Sequence, residues 1–263
     1  MGTIIAITNN KGGVGKTTTT LNLGIGVAML GYKVLLIDSD PQSNLSLSFK
    51  LDDKSENNLG NFLIGAKPWK EIVQRRKLDK EHHIDIAPAA RAMEGMEKIL
   101  FSERSREKVL RKALEREKIK EKYDFVFIDC GPNLGILTTN ALCAADEFII
   151  PFQSEFFSVN GTSTILEYAS MLREPDLNPN LEFGGIIITR YHENIRGKTI
   201  KEFVSDIRAS QVGDKVYNTF IRTNIKLMES PMYGQSIFEY AEDSNGSIDY
   251  KNLVTEFLSK HAA

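Results

Sequence analysis

Apolar residues along this chain arrive in short, nearly unbroken runs separated by stretches of helical spacing. Ile4-Ile5-Ala6-Ile7, Val34-Leu35-Leu36-Ile37 and Phe125-Val126-Phe127-Ile128 show no polar alternation. A strand solvated on one face alternates, whereas a strand covered on both faces reads as these do, and parallel sheets are the usual setting. Between them, Leu21, Ile25, Ala28 and Met29 predict a helix over 19–30 that stops at Gly31. Residues 84–89 alternate like a short strand, and 91–122 carry an interrupted helical stripe of Met96, Ile99, Leu100, Val109, Leu110, Ala113 and Leu114. Strand-like and helix-like segments keep alternating at 147–151, 161–172, 183–189, 198–210 and 216–221. That rhythm predicts α/β architecture: a doubly wound, mostly parallel sheet with helices on both faces, as a single domain over 1–263. Residues 51–83 give no clean period and are expected to be loop plus a short helix. An amphipathic helix is expected over 248–260, with Leu253, Val254, Phe257 and Leu258 on one face.

Composition narrows the partners. A chain of 263 residues, 41% hydrophobic and 26% charged, can bury a full core. Its formal charge of −2 excludes a uniformly basic coat for nucleic acid, so any DNA site must be regional. No apolar run approaches the roughly 18 residues of a membrane span, and the start shows no export signal. A soluble, cytoplasmic protein is expected. Cys130 and Cys143 form no metal-spaced pair and read as buried reduced thiols, and the adjacent His82 and His83 would face opposite ways on a strand.

The chemistry concentrates at 10–18, between the first apolar run and the first helix. Glycines 12, 13 and 15 leave backbone N–H groups free to converge on a phosphate chain, and the helix N-terminus behind them favours an anion. Val14 and Thr18 complete the loop, Lys16 supplies a mobile charge for the outer phosphates, and the Thr17 hydroxyl is placed for magnesium. The pattern G-x-x-x-x-G-K-[ST] asks for glycine where Asn10 stands. Two apolar runs end in acids, Asp38 with Asp40 nearby, and Asp129. In a doubly wound sheet the strand C-termini gather at one edge, where ligands bind. Asp129 in this position should hold a magnesium-bound water. For Asp38 and Asp40 an Asx turn or helix cap before Pro41 is the alternative.

The loop, with Lys11 beside the first glycine, resembles the deviant Walker A sequence K-G-G-x-G-K-T-[ST] of the ParA/MinD group of ATPases. Asp38-Ser39-Asp40-Pro41-Gln42 is similar to the D-x-D-P-Q of partition ATPases. Cys130-Gly131-Pro132-Asn133-Leu134-Gly135 is similar to their D-C-P-P-x-L-G, with glycine in place of the first proline. Residues 151–157 and 217–231 extend the resemblance to ParA/Soj-type partition ATPases over the whole chain. It implies a P-loop NTPase fold of the deviant Walker A type, binding ATP and magnesium. Lys16 would hold the subunit's own phosphates and Lys11 the partner's. Asp40 would position or activate the attacking water, and Asp38 would support the magnesium shell. Ile221 and Arg222 would border the adenine. The resemblance further implies a homodimer on ATP binding, stimulation by a ParB-like partner, non-specific DNA binding and nucleoid association. The family's I-P-R-N carries an arginine of the DNA surface, but here Arg222 and Thr223 stand at its proline and arginine. Arg190, Arg196, Lys198 and Arg222 are the candidate DNA contacts, in the most basic third of the chain.

The loop begins so near Met1 that an N-terminal helix-turn-helix domain is not expected. Three rival readings share the loop: a MinD-like membrane-cycling ATPase, a positioning ATPase for cargo other than DNA, and a nitrogenase-reductase-like electron carrier. The C-terminal segment mixes Lys251 and Lys260 with Asp249 and Glu256 rather than presenting a basic face, so packing on the sheet is expected. The electron carrier needs two cluster cysteines facing a dimer axis, which Cys130 and Cys143 do not supply.

Overall fold

The structure, a computed structural model, describes residues 1–153, 159–191, 194–195, 198–199 and 213–261. Among these, strands β1 (Thr3–Ile7), β2 (Val34–Asp38), β3 (Gln74–Lys77), β4 (His83–Ala87), β5 (Phe125–Asp129), β6 (Glu147–Gln153) and β7 (Glu182–Thr189) form one sheet. Their order is β3-β4-β2-β5-β1-β6-β7. Every pairing is parallel except that of β3 with β4. The strands read as unbroken apolar runs are the central ones, and all five residues of β2 and of β5 are buried.

Side-chain alternation divides the core in two. Ile5 and Ile7 of β1 pack with Leu36, Phe127, Leu21 and Ile25 on one face, while Ile4 and Ala6 pack with Leu35, Val126, Leu114 and Leu142 on the other. Helix α1 (Lys16–Ala28) and the C-terminal helix (Asn245–His261) cover the first face. The shorter α2 (Asn44–Ser48), α3 (Leu59–Leu63) and α4 (Trp69–Ile72) follow β2. The second face is covered largely by α5 (Met96–Phe101), α6 (Val109–Arg116), α7 (Ile119–Lys122), α8 (Ile136–Ala144) and α9 (Val159–Met171). Helix α1 lies so close to the sheet that a Cβ at Gly24 would stand 2.5 Å from a Leu36 methyl. Leu253, Val254 and Phe257 of the C-terminal helix are buried in the first core, as expected from its mixed charges. No helix among the described residues is long and apolar enough to cross a membrane.

Three segments depart from the pattern-based expectation. Residues 91–122 do not form one helix: Ser105 and Lys118 turn left-handed and divide the stretch. The cause is tertiary, because Asn140 of α8 accepts from the Leu110 amide at 3.0 Å and donates to the Arg106 carbonyl at 2.7 Å, fixing a new helix start there. Within 51–83, β3 is an unforeseen edge strand. It has no apolar face, and ion pairs hold it instead: Arg75 to the buried Asp85 at 2.8 Å, and Arg76 to Glu239 at 3.2 Å. Residues 216–221 are not a continuous strand: isolated bridges, Ile186 to Val216 and Tyr191 to Arg222, and the bond from the Ile221 amide to the Ile188 carbonyl join that stretch to β7 and its end. The amides of Asn218 and Thr219 donate to the Glu256 carboxylate at 2.7 and 2.8 Å, which removes them from sheet pairing. Of the segment 198–210, only Lys198–Thr199 lies within the described residues, paired with Asn194–Ile195.

The end of the C-terminal helix is pinned by an ionic contact. His261 Nε2 stands 2.8 Å from Glu147 Oε1 and Nδ1 stands 2.8 Å from the Phe257 carbonyl, an arrangement in which the imidazolium donates twice. Burial lowers the His261 pKa, but the Glu147 carboxylate outweighs it, and the net shift is upward from 6.5. A raised histidine pKa stabilises the fold fully below the unfolded value, and that contribution fades as pH rises through the folded value. His261→Gln is therefore expected to cost roughly 1.5 kcal/mol near pH 6, as a lost charged hydrogen bond does, and progressively less at alkaline pH. Urea melts of both proteins across pH check this; a difference that grows with pH contradicts it.

Candidate nucleotide and magnesium site

The chain leaves β1 into a loop tied to its neighbour on the sheet. The Thr8 amide donates to the Ile149 carbonyl at 3.0 Å, Asn9 Nδ2 donates to the Pro151 carbonyl at 2.8 Å, and Asn9 Oδ1 accepts the Lys11 amide at 3.0 Å. Gly13 and Gly15 then take φ of 74° and 89°, left-handed values that a side chain resists. A Cβ at Gly12 or Gly13 would meet nothing within 4 Å, so that space is open for a ligand to occupy. Gly15 caps α1, and its carbonyl accepts the Thr19 amide at 2.8 Å. Lys16, 7% exposed, turns back over the loop and donates from Nζ to the Lys11 carbonyl at 2.8 Å. Burial lowers its pKa, with Asp129, Cys130 and Asp40 opposing the shift. Bound phosphates would add to that opposition and hold the ammonium charged.

The three predicted acids converge below the loop. Asp38 and Asp129 are register partners on adjacent strands, and both are fully buried. Asp129 Oδ2 accepts from the Thr17 hydroxyl at 2.7 Å, and Thr20 approaches its other oxygen at 3.4 Å. Burial raises the Asp129 pKa, the Asp38 charge raises it further, and the Thr17 hydrogen bond opposes both. Asp38 is pushed up to about 7, chiefly by burial, against hydrogen bonds from Ser46 and the Asp40 amide. Its Oδ2 accepts the Ser46 hydroxyl at 2.7 Å and amide at 2.8 Å, and its Oδ1 accepts the Asp40 amide at 3.2 Å. Asp38 thus anchors α2 to the end of β2.

Asp40 forms the Asx turn that its position before Pro41 allowed, with Oδ1 accepting the Gln42 amide at 3.0 Å. It also faces the cavity. A Cβ at Gly131 would come within 3.3 Å of Asp40 Oδ1, so glycine in place of the family's proline lets the carboxylate lie against the loop after β5.

A cavity of about 1110 Å³ opens beside these groups, and Gly12, Gly13, Lys16, Thr17, Thr18 and Asp40 are among the residues that line it. Ile221, Arg222, Thr223 and Asn224 belong to its wall as well. The donor set fits magnesium and a phosphate chain: a threonine hydroxyl touching a carboxylate gives hard oxygen ligands, and the open glycine cradle lies beside Lys16. Val14 is buried beneath the loop, and Lys11 is half-buried beside it.

The basic candidates do not form one described patch. Arg190 is exposed, left-handed at φ 49°, and lines the cavity edge. Arg222 turns its guanidinium to Asp249 of the C-terminal helix, with Nη2 2.6 Å from Oδ1. Arg196 lies outside the described residues, and for Lys198 only the backbone is described.

Sequence reasoning passed over Gln153 and Thr189, buried polar residues that end β6 and β7 and line the cavity. The rule that found Asp38 and Asp129, a polar residue closing an apolar strand, applies to both. Tyr250, a cavity residue from the C-terminal helix, carried no such signal.

Comparison with known proteins places this arrangement. The model of the AAA domain family matches residues 2–183. The chromosome partitioning protein ParA of Caulobacter vibrioides is 36% identical over 98% of this chain and 94% of that protein. The sporulation initiation inhibitor protein Soj of Bacillus subtilis is 37% identical over 97% of this chain and 98% of that protein. Among solved structures, cobyrinic acid a,c-diamide synthase from Mycobacterium smegmatis, with bound ATP analog and magnesium, superposes with a TM-score of 0.83. It is 28% identical, covering 100% of this chain and 97% of that one.

Proposed function

The chain belongs to the ParA/Soj-type partition ATPases within the AAA domain family, and on that premise we propose that it works as an ATP-driven switch in DNA segregation. It is an ATPase that uses ATP and magnesium. The observation that carries the reading is the meeting of Lys16, Thr17 and Asp40 in the wall of one cavity, with the buried Asp129 accepting the Thr17 hydroxyl behind it.

Lys16 leaves the Lys11 carbonyl to hold the outer phosphates of its own subunit's nucleotide. Thr17 and Asp129 would hold the magnesium ion, with Asp38 beside Asp129 supporting them. When bound, the ion neutralises charge on the phosphate oxygens. Asp40 orients the attacking water and takes up its proton as the bond from oxygen to the γ-phosphorus forms and the bond to the β-phosphate oxygen breaks. Ile221 and the backbone of Arg222 border the base.

Two ATP-bound subunits meet face to face, and Lys11 of each reaches the other's nucleotide. Charge developing on the leaving phosphate is stabilised there. The dimer holds DNA by sequence-independent phosphate contacts, a ParB-like partner accelerates hydrolysis, and hydrolysis dissolves the dimer together with its grip on DNA. Arg190, Arg196 and Lys198 make the DNA contacts, whereas the guanidinium of Arg222 is engaged with Asp249. Burial of Leu253, Val254 and Phe257 against the sheet supports DNA over a membrane surface, because the C-terminal helix keeps its apolar face inside.

Retention on non-specific duplex tests the switch. Binding is expected with Mg-ATP, lost with Mg-ADP, and falling steeply with salt as displaced counterions require. Equal retention with and without nucleotide would refute it.

A further inference from the structure

We propose that Thr189 is a positioning residue that sets the distance between the phosphate end and the base end of the cavity. Its hydroxyl donates to the Val14 carbonyl, within the phosphate loop, at 2.8 Å, and lies 3.2 Å from the Phe152 carbonyl of β6. Its methyl stands 3.6 Å from where a Cβ on Gly15 would be, so the side chain fills the space behind the loop. Thr189 is 3% exposed, which makes these contacts costly to leave unmade.

The residues flanking Thr189 hold the stretch of cavity wall, 221–223, that is proposed to border the base. The Ile221 amide donates to the Ile188 carbonyl at 2.8 Å, the Tyr191 amide donates to the Ile221 carbonyl at 2.9 Å, and the Thr223 amide donates to the Tyr191 carbonyl at 3.1 Å. The backbone of 221–223 is therefore zipped onto the two sides of the residue whose hydroxyl grips the phosphate loop. The contacts run from Val14 through Thr189 to Ile221 and Thr223, and their rigidity fixes a span. A nucleotide that must touch both ends senses that span. A ligand made only of phosphates does not.

Thr189→Val deletes the donor and keeps the shape, and Thr189→Ser keeps the donor. Titration calorimetry with Mg-ATP and with Mg-tripolyphosphate separates the roles. Thr189→Val is expected to weaken ATP binding roughly tenfold, the size of one lost buried hydrogen bond. Tripolyphosphate affinity is expected to stay within about twofold, since the residues of the phosphate end are unchanged. Thr189→Ser is expected to restore ATP affinity. Equal weakening of both ligands would make Thr189 a prop for the phosphate loop alone, and no weakening of ATP would give it no role; either overturns the proposal. If Thr189→Val does not fold, Thr189→Ala is read the same way. The inference rests on this cavity being the nucleotide site, which Lys16→Ala checks separately. Unchanged ATP affinity in Lys16→Ala removes the site, whereas its loss beside a normal Thr189→Val removes only the inference.

Discussion

Asp40→Ala is expected to bind Mg-ATP normally and to hydrolyse it at least about a hundredfold more slowly, the usual scale for a missing acid–base group. The geometry separates chemistry from folding. Asp40 spends one oxygen on the Gln42 amide within its own turn and otherwise faces the cavity beside Gly131, so truncation removes a local hydrogen bond and little packing. Asp38 is the contrasting case. It is fully buried and accepts from three donors, so cutting it back would strand the Ser46 and Asp40 amides and loosen α2. Single-turnover phosphate release, alongside equilibrium binding of a fluorescent ATP analogue, measures the effect. A variant that turns over at the wild-type rate removes Asp40 from the reaction, and one that loses ATP binding makes it a binding residue instead.

The second large effect is expected at Lys11. Its amide pairs with Asn9 Oδ1 and its carbonyl with Lys16 Nζ, and Lys11→Ala keeps both bonds. ATP affinity of the single subunit should therefore persist. Self-association in Mg-ATP should weaken roughly a hundredfold, the scale found when one member of a close interfacial charge pair is truncated. Sedimentation across a concentration series reads that shift. Undiminished self-association would mean that the Lys11 side chain serves its own subunit.

What was legible in the sequence follows from burial. Strands β1, β2 and β5 are covered on both faces, so their apolar runs could be read directly, and the acids that end β2 and β5 fell at the ligand edge as the topology requires. Glycine and lysine spacing marked the phosphate loop because its conformation depends on side chains that are missing. Edge strand β3 was hidden because ion pairs to Asp85 and Glu239, rather than an apolar face, secure it. The helix breaks near 105 and 118 were hidden because Asn140, distant in sequence, helps set where the next helix starts. Arg222 shows the same limit within the site. Its basic character was visible, but its partner Asp249 lies on a helix that only the fold brings near. Thr189 was within reach, since it closes an apolar strand as Asp38 and Asp129 do.

In the proposed cycle, ATP builds a dimer which hydrolysis takes apart. Light scattering of the wild-type protein tests this most directly, with Mg-ATP, with Mg-ADP and without nucleotide at one protein concentration. Twice the monomer mass is expected in Mg-ATP alone, with monomer in the other two conditions. A monomer in Mg-ATP, or the same dimer in all three, would contradict it.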